Sequence, residues 1–192
     1  MLPLPIDYDS VRSGLCQGLM LGTGAEQSQV LMLEAEDTSA PRPALPYFGF
    51  KITTPGVRHG NDAVSFVSIE PDGSRVEILS GSRRMAVSFH AYGTSHEHAY
   101  GMMALWQAAL QRTDVQEALR LATISVWDIG DVRDLSALVW TKFEGRAQMD
   151  VTFGVLSQLQ VVTPCVAVAN ASGQIQGDTD VLSVDVTAEL GA

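Results

Sequence analysis

Three glycines near the N-terminus, Gly18, Gly22 and Gly24, are of the residue type that phosphate-binding loops use. A phosphate loop also ends in Gly-Lys-Ser/Thr, because the lysine and the hydroxyl bind phosphate and magnesium. No such ending follows these glycines. A dinucleotide fingerprint needs its glycines between a strand and a helix, whereas these lie inside or after a predicted helix. We therefore interpret them as residues that end a helix.

Two histidines could bind a metal ion. His96 and His98 flank Glu97 at the start of a predicted helix, where side chains at positions i and i+2 point apart. The His-Glu-x-x-His spacing of zinc proteases is absent. We interpret the three residues as the solvated start of the helix, and His59 and His90 are isolated in sequence.

Nucleophilic residues lack a catalytic setting. The chain contains no Gly-x-Ser-x-Gly elbow, and neither Cys16 nor Cys165 stands in a recognisable catalytic motif. The two cysteines are interpreted as reduced thiols of a cytoplasmic protein, with one disulfide as the alternative. The sequence predicts no catalytic residue, no cofactor and no metal site, and therefore a protein that is not an enzyme.

The charge of the chain is acidic and uneven. The 192 residues carry a net charge of −10, from 22 acidic and 12 basic residues. No basic residue follows Arg146, and the last 46 residues (192 − 146) carry −5. General nucleic-acid binding is not expected, because it needs clustered Lys and Arg. The N-terminus has no signal-peptide pattern, and no apolar run approaches the roughly 18 residues of a membrane span.

The first half of the chain predicts one helix followed by strands. Val11, Leu15 and Leu19 fall on one face of a helix over 7–21, which Asp7, Asp9 or Ser10 can cap. Strands are predicted at 30–33 and 47–52. Residues 63–69 and 75–79 flank Pro71-Asp72-Gly73 and are predicted to form a hairpin, and Gly81-Ser82 is predicted to turn the chain again. Residues 84–91 then alternate between two faces, which is the clearest strand signal in the first half of the chain.

The second half predicts two helices followed by strands. A helix over 95–111 carries an apolar stripe, and Thr113-Asp114-Val115-Gln116 has the form of a capping box for a second helix. Strands are predicted at 124–129, 146–155, 161–169 and 181–186, with a turn at 170–173 and an ambiguous segment at 137–143. The order favours an α+β fold, an antiparallel or mixed β-sheet packed on one face by helices, with a C-terminal β-hairpin or arm.

The segment Phe143-Glu144-Gly145-Arg146 brackets a glycine with opposite charges at the start of the strongest strand pattern. One interpretation is a surface turn or bulge with a weak ion pair. The other is a contact between subunits. Across the polar faces of the two alternating strands, the candidate inter-subunit contacts are Glu144, Arg146, Asp150 and Arg84.

Several blocks together resemble the bacteriophage neck or tail terminator proteins. The blocks are 47–52, the Arg-x-x-x-x-Phe-x-x-Tyr-Gly pattern of 84–93, the helix of 99–110, Asp134-Leu135-Ser136, and Phe-Glu-Gly-Arg-Ala within 143–153. The resemblance covers roughly residues 5 to 156. It implies a small α+β domain over residues 1–160. Residues 161–192 lie beyond the best match, carry only acidic charge and show two strand patterns, so we predict a C-terminal β arm that packs on a neighbouring subunit or on the adjoining neck or tube protein. The alternative is that they add two strands to the chain's own domain.

The resemblance also implies a function in the virion. Such proteins form six-fold rings that cap the head-proximal end of the tail tube, stop its growth and offer a surface to the neck connector or head-completion proteins. The expected partners are further copies of the chain in a homohexamer, the tail tube protein, the connector, and viral DNA passing through the lumen without sequence-specific binding. No membrane partner is expected, and assembly would take place in the bacterial host cytoplasm. The alternatives are another head-completion or minor tail protein and, from a different class, a small α+β hydrolase or ligand-binding domain.

Overall fold

The computed structural model describes residues 5–33, 42–69, 74–139, 142–164, 168–176 and 181–189. The chain divides into two compact units, the first made of Met1–Asp62 with Ser80–Gln158 and the second of Ala63–Leu79 with Leu159–Ala192. The second unit thus groups residues 63–79 with the C-terminal segment. The domain boundary expected at residue 160 stays a prediction.

Three helices and nine strands make up the described chain. The helices are α1 (Tyr8–Thr23), α2 (His96–Ala109) and α3 (Thr113–Leu121), and a 3-10 turn covers Gln27–Gln29. The strands are β1 (Val30–Met32), β2 (Tyr47–Ile69), β3 (Ser74–Gly93), β4 (Ile124–Ile129), β5 (Arg133–Asp134), β6 (Ala137–Val139), β7 (Lys142–Pro164), β8 (Val168–Gln176) and β9 (Val181–Glu189).

The strands form a mixed sheet with the predicted covering of helices. The order is β1-β2-β3-β7-β4, and β5 and β6 also pair with β7. Strand β1 runs parallel to β2, whereas β4, β5 and β6 run antiparallel to β7. Strands β8 and β9 form a separate two-stranded antiparallel ribbon, which runs from the Val168–Glu189 pair to the Gln176–Val181 pair. The predicted α+β fold class is confirmed.

Helix α1 begins and ends within two residues of its predicted bounds. The Asp7 carboxylate accepts a hydrogen bond from the Ser10 amide at 3.0 Å, which satisfies one of the free donors at the helix start. Gly24 ends the helix with φ 75° and donates its amide to the Met20 carbonyl at 2.8 Å. Glycine adopts this left-handed conformation without the steric cost that a side chain adds.

Gly14, Gly18 and Gly22 lie four residues apart on the buried face of α1. A Cβ at Gly14 would lie under 3.0 Å from the Cβ of Ala122, and one at Gly22 would lie 2.8 Å from the Cβ of Ala109. These glycines therefore let α1 pack closely against α2 and the end of α3. The interpretation of Gly18 and Gly22 as helix-ending residues is wrong, because only the third glycine of the predicted group ends the helix.

The core lies between the helices and one face of the sheet. The ring of Phe89, on β3, is at its centre, 5.3 Å from Trp106 of α2, 6.2 Å from Phe153 of β7 and 6.1 Å from Phe50 of β2, measured between ring centroids. All five residues that the periodicity predicts as core are buried: Phe89, Trp106, Met149, Val151 and Phe153. The register read from the alternation of β3 and β7 is therefore correct.

The predicted turn at Gly81-Ser82 is wrong, because β3 runs unbroken through it. The glycine there leaves room for the carboxylate of Asp62, which a Cβ at Gly81 would overlap. Arg83 donates two hydrogen bonds to that carboxylate, at 2.7 and 3.1 Å, and both side chains are buried. A glycine inside a strand often marks such a close approach, and the bidentate geometry compensates the desolvation of both charges.

Other boundaries also differ from the prediction. Strand β2 is continuous over residues that were expected as two strands, and β8 continues through the turn predicted at 170–173. The predicted capping box of helix α3 is wrong, because Thr113 is already helical and the N-cap residue is Arg112. The guanidinium of Arg112 instead donates a hydrogen bond to Asp114 at 2.6 Å. The ambiguous segment contains β6 and the start of β7, and the turn expected at 71–73 lies outside the described residues.

Candidate functional site

The face of the sheet opposite the helices carries a set of polar side chains. Because side chains alternate along a strand, the buried residues of β3 and β7 leave their neighbours on this second face. Ser88 of β3 contacts Gln148 of β7, and His90, further along β3, contacts Arg146, which lies earlier on β7. This opposite order is that of antiparallel pairing. We call this set the polar sheet face, formed by Arg84, Ser88, His90, Tyr92, Glu144, Arg146, Gln148 and Asp150.

A neutral histidine lies at the centre of the polar sheet face. The Nη2 atom of Arg146 lies 3.1 Å from Nδ1 of His90. Because a guanidinium can only donate, Nδ1 accepts, and the ring proton is assigned to Nε2, which faces Oγ of Ser88 at 3.4 Å. Burial and the nearby positive charge of Arg146 lower the pKa of His90 to about 4. The imidazole is therefore uncharged at neutral pH.

Gln148 connects Ser88, which lies beside His90, to the exposed carboxylate of Asp150. Nε2 of Gln148 donates to Oγ of Ser88 at 2.8 Å and to Oδ1 of Asp150 at 3.2 Å. Ser88 is buried, whereas Asp150 is exposed. The network therefore extends from the buried part of the face to a charge that is accessible to a partner.

Two stacked tyrosines border the same network. The rings of Tyr47 and Tyr92 lie 4.5 Å apart with an interplanar angle of 16°. Burial is the main cause that raises the pKa of Tyr47, and the neighbouring Tyr92 raises it further. The Arg146 guanidinium carbon lies 5.4 Å from the centre of the Tyr92 ring, within the range of a cation–π contact.

An open groove lies beside these aromatic rings. Its volume is about 190 Å³. Oε1 of Glu144 lies 3.7 Å from Nη1 of Arg42 across it. We call it the arginine groove, and its lining residues are Arg42, Tyr92, Leu135, Ala137, Glu144 and Arg146.

The segment around Gly145 is strand rather than a turn or bulge. Strand β7 runs through it, and a Cβ at Gly145 would overlap the carbonyl oxygen of Ser95. The glycine thus allows β7 to pass directly beside the start of α2. The weak ion pair expected within the segment is replaced by one between Glu144 and Arg42.

Three of the four candidate contact residues lie together. Glu144, Arg146 and Asp150 occupy one face of β7, whereas Arg84 is exposed on β3 and makes no hydrogen bond or ion pair within the described ranges. Their role between subunits stays a prediction.

Sequence reasoning missed the contribution of His90, Tyr92, Tyr47 and Arg42. The alternation of β3 already placed His90 on this face. Its partner, however, is 56 residues away in sequence, which is why the histidine looks isolated.

The other chemically active residues form no site in the described part of the chain. His98 lies at the start of α2 as expected, with Nδ1 3.0 Å from Oγ1 of Thr94. No three His, Cys, Asp or Glu side chains among the described residues are grouped as metal ligands. Burial raises the pKa of the Cys16 thiol, and Cys165 lies outside the described residues. Within the same residues, no helix has both the length and the apolar character that crossing a membrane requires.

Comparison with known proteins identifies the family. A family model described as phage neck terminator protein matches residues 11–181 of the 192. The chain therefore belongs to the phage neck terminator family, which is a family of structural proteins. The match extends beyond residue 156 into the C-terminal segment. The comparison with curated proteins gives no match.

Proposed function

We propose that this chain is the tail terminator of a phage virion. Six copies form a ring at the head-proximal end of the tail tube, end tube growth and join the tube to the neck connector or head-completion protein. The observation that carries the proposal is the family match over residues 11–181. Assembly takes place in the cytoplasm of the bacterial host.

A closed ring needs two different, complementary patches on each subunit. The polar sheet face supplies the first patch. Arg84 and Asp150 are exposed there with opposite charges, and Glu144 and Arg146 are only half-buried. Charges of both signs on one face favour a partner with a matching pattern, which sets the register of the contact.

The C-terminal segment supplies the second patch. Strands β8 and β9 pair with each other and with no further strand of the described chain, so each has an outer backbone edge. Such edges are natural docking sites for another chain. We therefore place residues 161–192 against a neighbouring subunit or the adjoining neck or tube protein.

The acidity of the chain suits a channel for DNA. Six copies at −10 each carry −60. Negative charge on a channel wall repels phosphate, so DNA passes through the lumen without binding to it.

Cryo-electron microscopy of the intact virion neck tests the position and the copy number. The expected map has six copies between the tube and the connector, and a phage that lacks the gene should produce tubes of uncontrolled length. A different copy number, or density for this chain outside the neck and tail, would refute the proposal.

A truncation tests the arm. A chain lacking residues 161–192 should still unfold cooperatively in circular dichroism but should fail to join heads to tails. If the truncated chain is unfolded, the segment belongs to the core of the domain instead.

A further inference from the structure

Arg146 is a half-buried cation without a carboxylate partner in the described chain. The only hydrogen bond of its guanidinium to described residues is the one from Nη2 to the neutral ring of His90. Its Nε atom is shielded from solvent and has no acceptor there. Charges that are removed from water are normally paired, because desolvation disfavours an isolated ion.

The arginine groove is therefore one negative charge short. Its described lining contains two guanidinium groups, Arg42 and Arg146, and a single carboxylate, Glu144, which pairs with the first at 3.7 Å. Its volume of about 190 Å³ is sufficient for a side-chain carboxylate. The ring of Tyr92 and the side chains of Leu135 and Ala137 give the groove apolar walls, which strengthen an ion pair formed inside it.

The chain has carboxylates that match this groove. The residues between the paired ends of β8 and β9 are Gly-Asp-Thr-Asp, with Asp178 and Asp180, and no basic residue follows Arg146 to neutralise them. Each strand of the ribbon has nine residues. At about 3.3 Å per residue the ribbon is about 30 Å long, comparable to the diameter of a small domain.

We infer that the arginine groove of one subunit binds the acidic end of the β8–β9 ribbon of a second copy, with Asp178 or Asp180 paired to Arg146. The contact is heterologous, since groove and ribbon are different surfaces, and a heterologous contact that closes gives a ring. The inference rests on the proposed ring and adds to it the pair of surfaces that joins neighbouring copies.

A carboxylate from a second copy fits the groove better than a phosphate of DNA. Duplex DNA carries one charge per about 1.7 Å of its axis, so it would bring further phosphates against Glu144 and the exposed Asp150. The segment between β8 and β9 brings two carboxylates, Asp178 and Asp180, and so less repulsion than a continuous row of phosphates. The net charge of −10 also disfavours the approach of DNA over longer distances.

Charge reversal on the full-length chain tests the contact. Assembly is measured by native mass spectrometry, for the protein alone and with purified tail tubes. Arg146→Glu and the double variant Asp178→Arg/Asp180→Arg should each raise the concentration for half-assembly at least about tenfold, as for other close interfacial charge pairs. The triple variant, in which every contact is reversed, should assemble within about threefold of the wild type.

Matched controls separate this contact from a general effect of charge. Arg120→Glu and Glu117→Arg, at exposed positions of α3 on the helix side of the sheet, make the same charge changes outside the groove and the ribbon. They should assemble like the wild type. If Arg146→Glu does not fold, Arg146→Gln replaces it; neutralising Asp178 and Asp180 should then have no further effect in that background.

The outcomes distinguish this inference from the proposed function. A triple variant that assembles no better than the weaker parent would overturn the inference and leave the ring intact. A wild-type chain that never assembles on tubes would instead refute the proposed function. Reduced binding of a labelled DNA duplex by Arg146→Glu, with unchanged assembly, would assign the groove to DNA and reject a second copy.

Discussion

Helix propensity predicts that replacing a glycine of α1 with alanine stabilises the protein. The close packing of α1 predicts a loss of stability at Gly14. Gly14→Ala replaces a poor helix former with the best, a change that gains about 1 kcal/mol at an exposed site. At Gly14, however, the new methyl group would lie under 3.0 Å from the Cβ of Ala122. Overpacking of this kind costs about 1–3 kcal/mol, occasionally more, and a direct methyl–methyl overlap belongs at the upper end. We expect a net loss of about 1–2 kcal/mol, or about 2–8 °C in Tm.

Gly101→Ala is the matched control for this prediction. Gly101 also lies inside a helix, α2, but it is exposed, and a Cβ there would meet nothing within 4 Å. The same substitution should therefore raise the free energy of unfolding by about 0.5–1 kcal/mol. Urea and thermal unfolding of the full chain, followed by far-UV circular dichroism, would measure both variants against the wild type.

Removing the opposing methyl group tests the cause. Ala122→Gly alone should cost about 1 kcal/mol, for a lost buried methyl group and a more flexible backbone. In the double variant Gly14→Ala/Ala122→Gly the overlap is absent, so the loss should be smaller than the sum of the two single losses. The reasoning would be refuted if Gly14→Ala stabilises as Gly101→Ala does, or if the two losses simply add.

Three further predictions concern the core, the buried histidine and the buried ion pair. Phe153→Ala should cost about 3–5 kcal/mol of unfolding free energy, and an unchanged Tm would show that the register of β7 is wrong. Since the pKa of His90 is lowered to about 4, the unfolded chain binds a proton that the folded chain does not as the pH falls from about 6.5 to 4. Stability should decrease over that range by about 1–3 kcal/mol, allowing for partial solvent screening, and urea titrations should show a smaller decrease in His90→Gln. Arg83→Met should lower Tm more than the double variant Asp62→Asn/Arg83→Met, because the single change removes both hydrogen bonds to a buried carboxylate and leaves it only the half-exposed Arg58 at 3.8 Å; the opposite order of Tm would contradict this.

The sequence by itself determined the elements whose signal is local. The bounds of α1 follow from an N-cap aspartate and a glycine in the left-handed conformation, which act within one turn of the helix. The buried faces of β3 and β7 follow from alternation, because a strand has a period of two whatever it packs against. Phe89 and Phe153 were therefore placed in the core before any contact between them was known, and the α+β class followed from the order of such elements.

Tertiary structure alone decided where glycines and charges of distant segments meet. Gly81 resembles a turn residue in sequence, but it makes room for Asp62, 19 positions earlier (81 − 62), and β3 continues through it. Gly18 and Gly22 have the same local signal as a helix end, and only the approach of α2 and α3 shows that they serve packing.

For the polar sheet face, the sequence determined on which side of each strand the polar residues lie, and the tertiary structure determined which of them meet. Alternation places Arg146 and His90 on one side of their strands, but the bond between them requires β3 and β7 to be neighbours in one register. That register is fixed by burial of apolar side chains from elements far apart in the chain, a non-local property that no short window of sequence contains. The uncharged state of His90, and the contact of Arg146 with its ring rather than with a carboxylate of the described residues, are both consequences of this register.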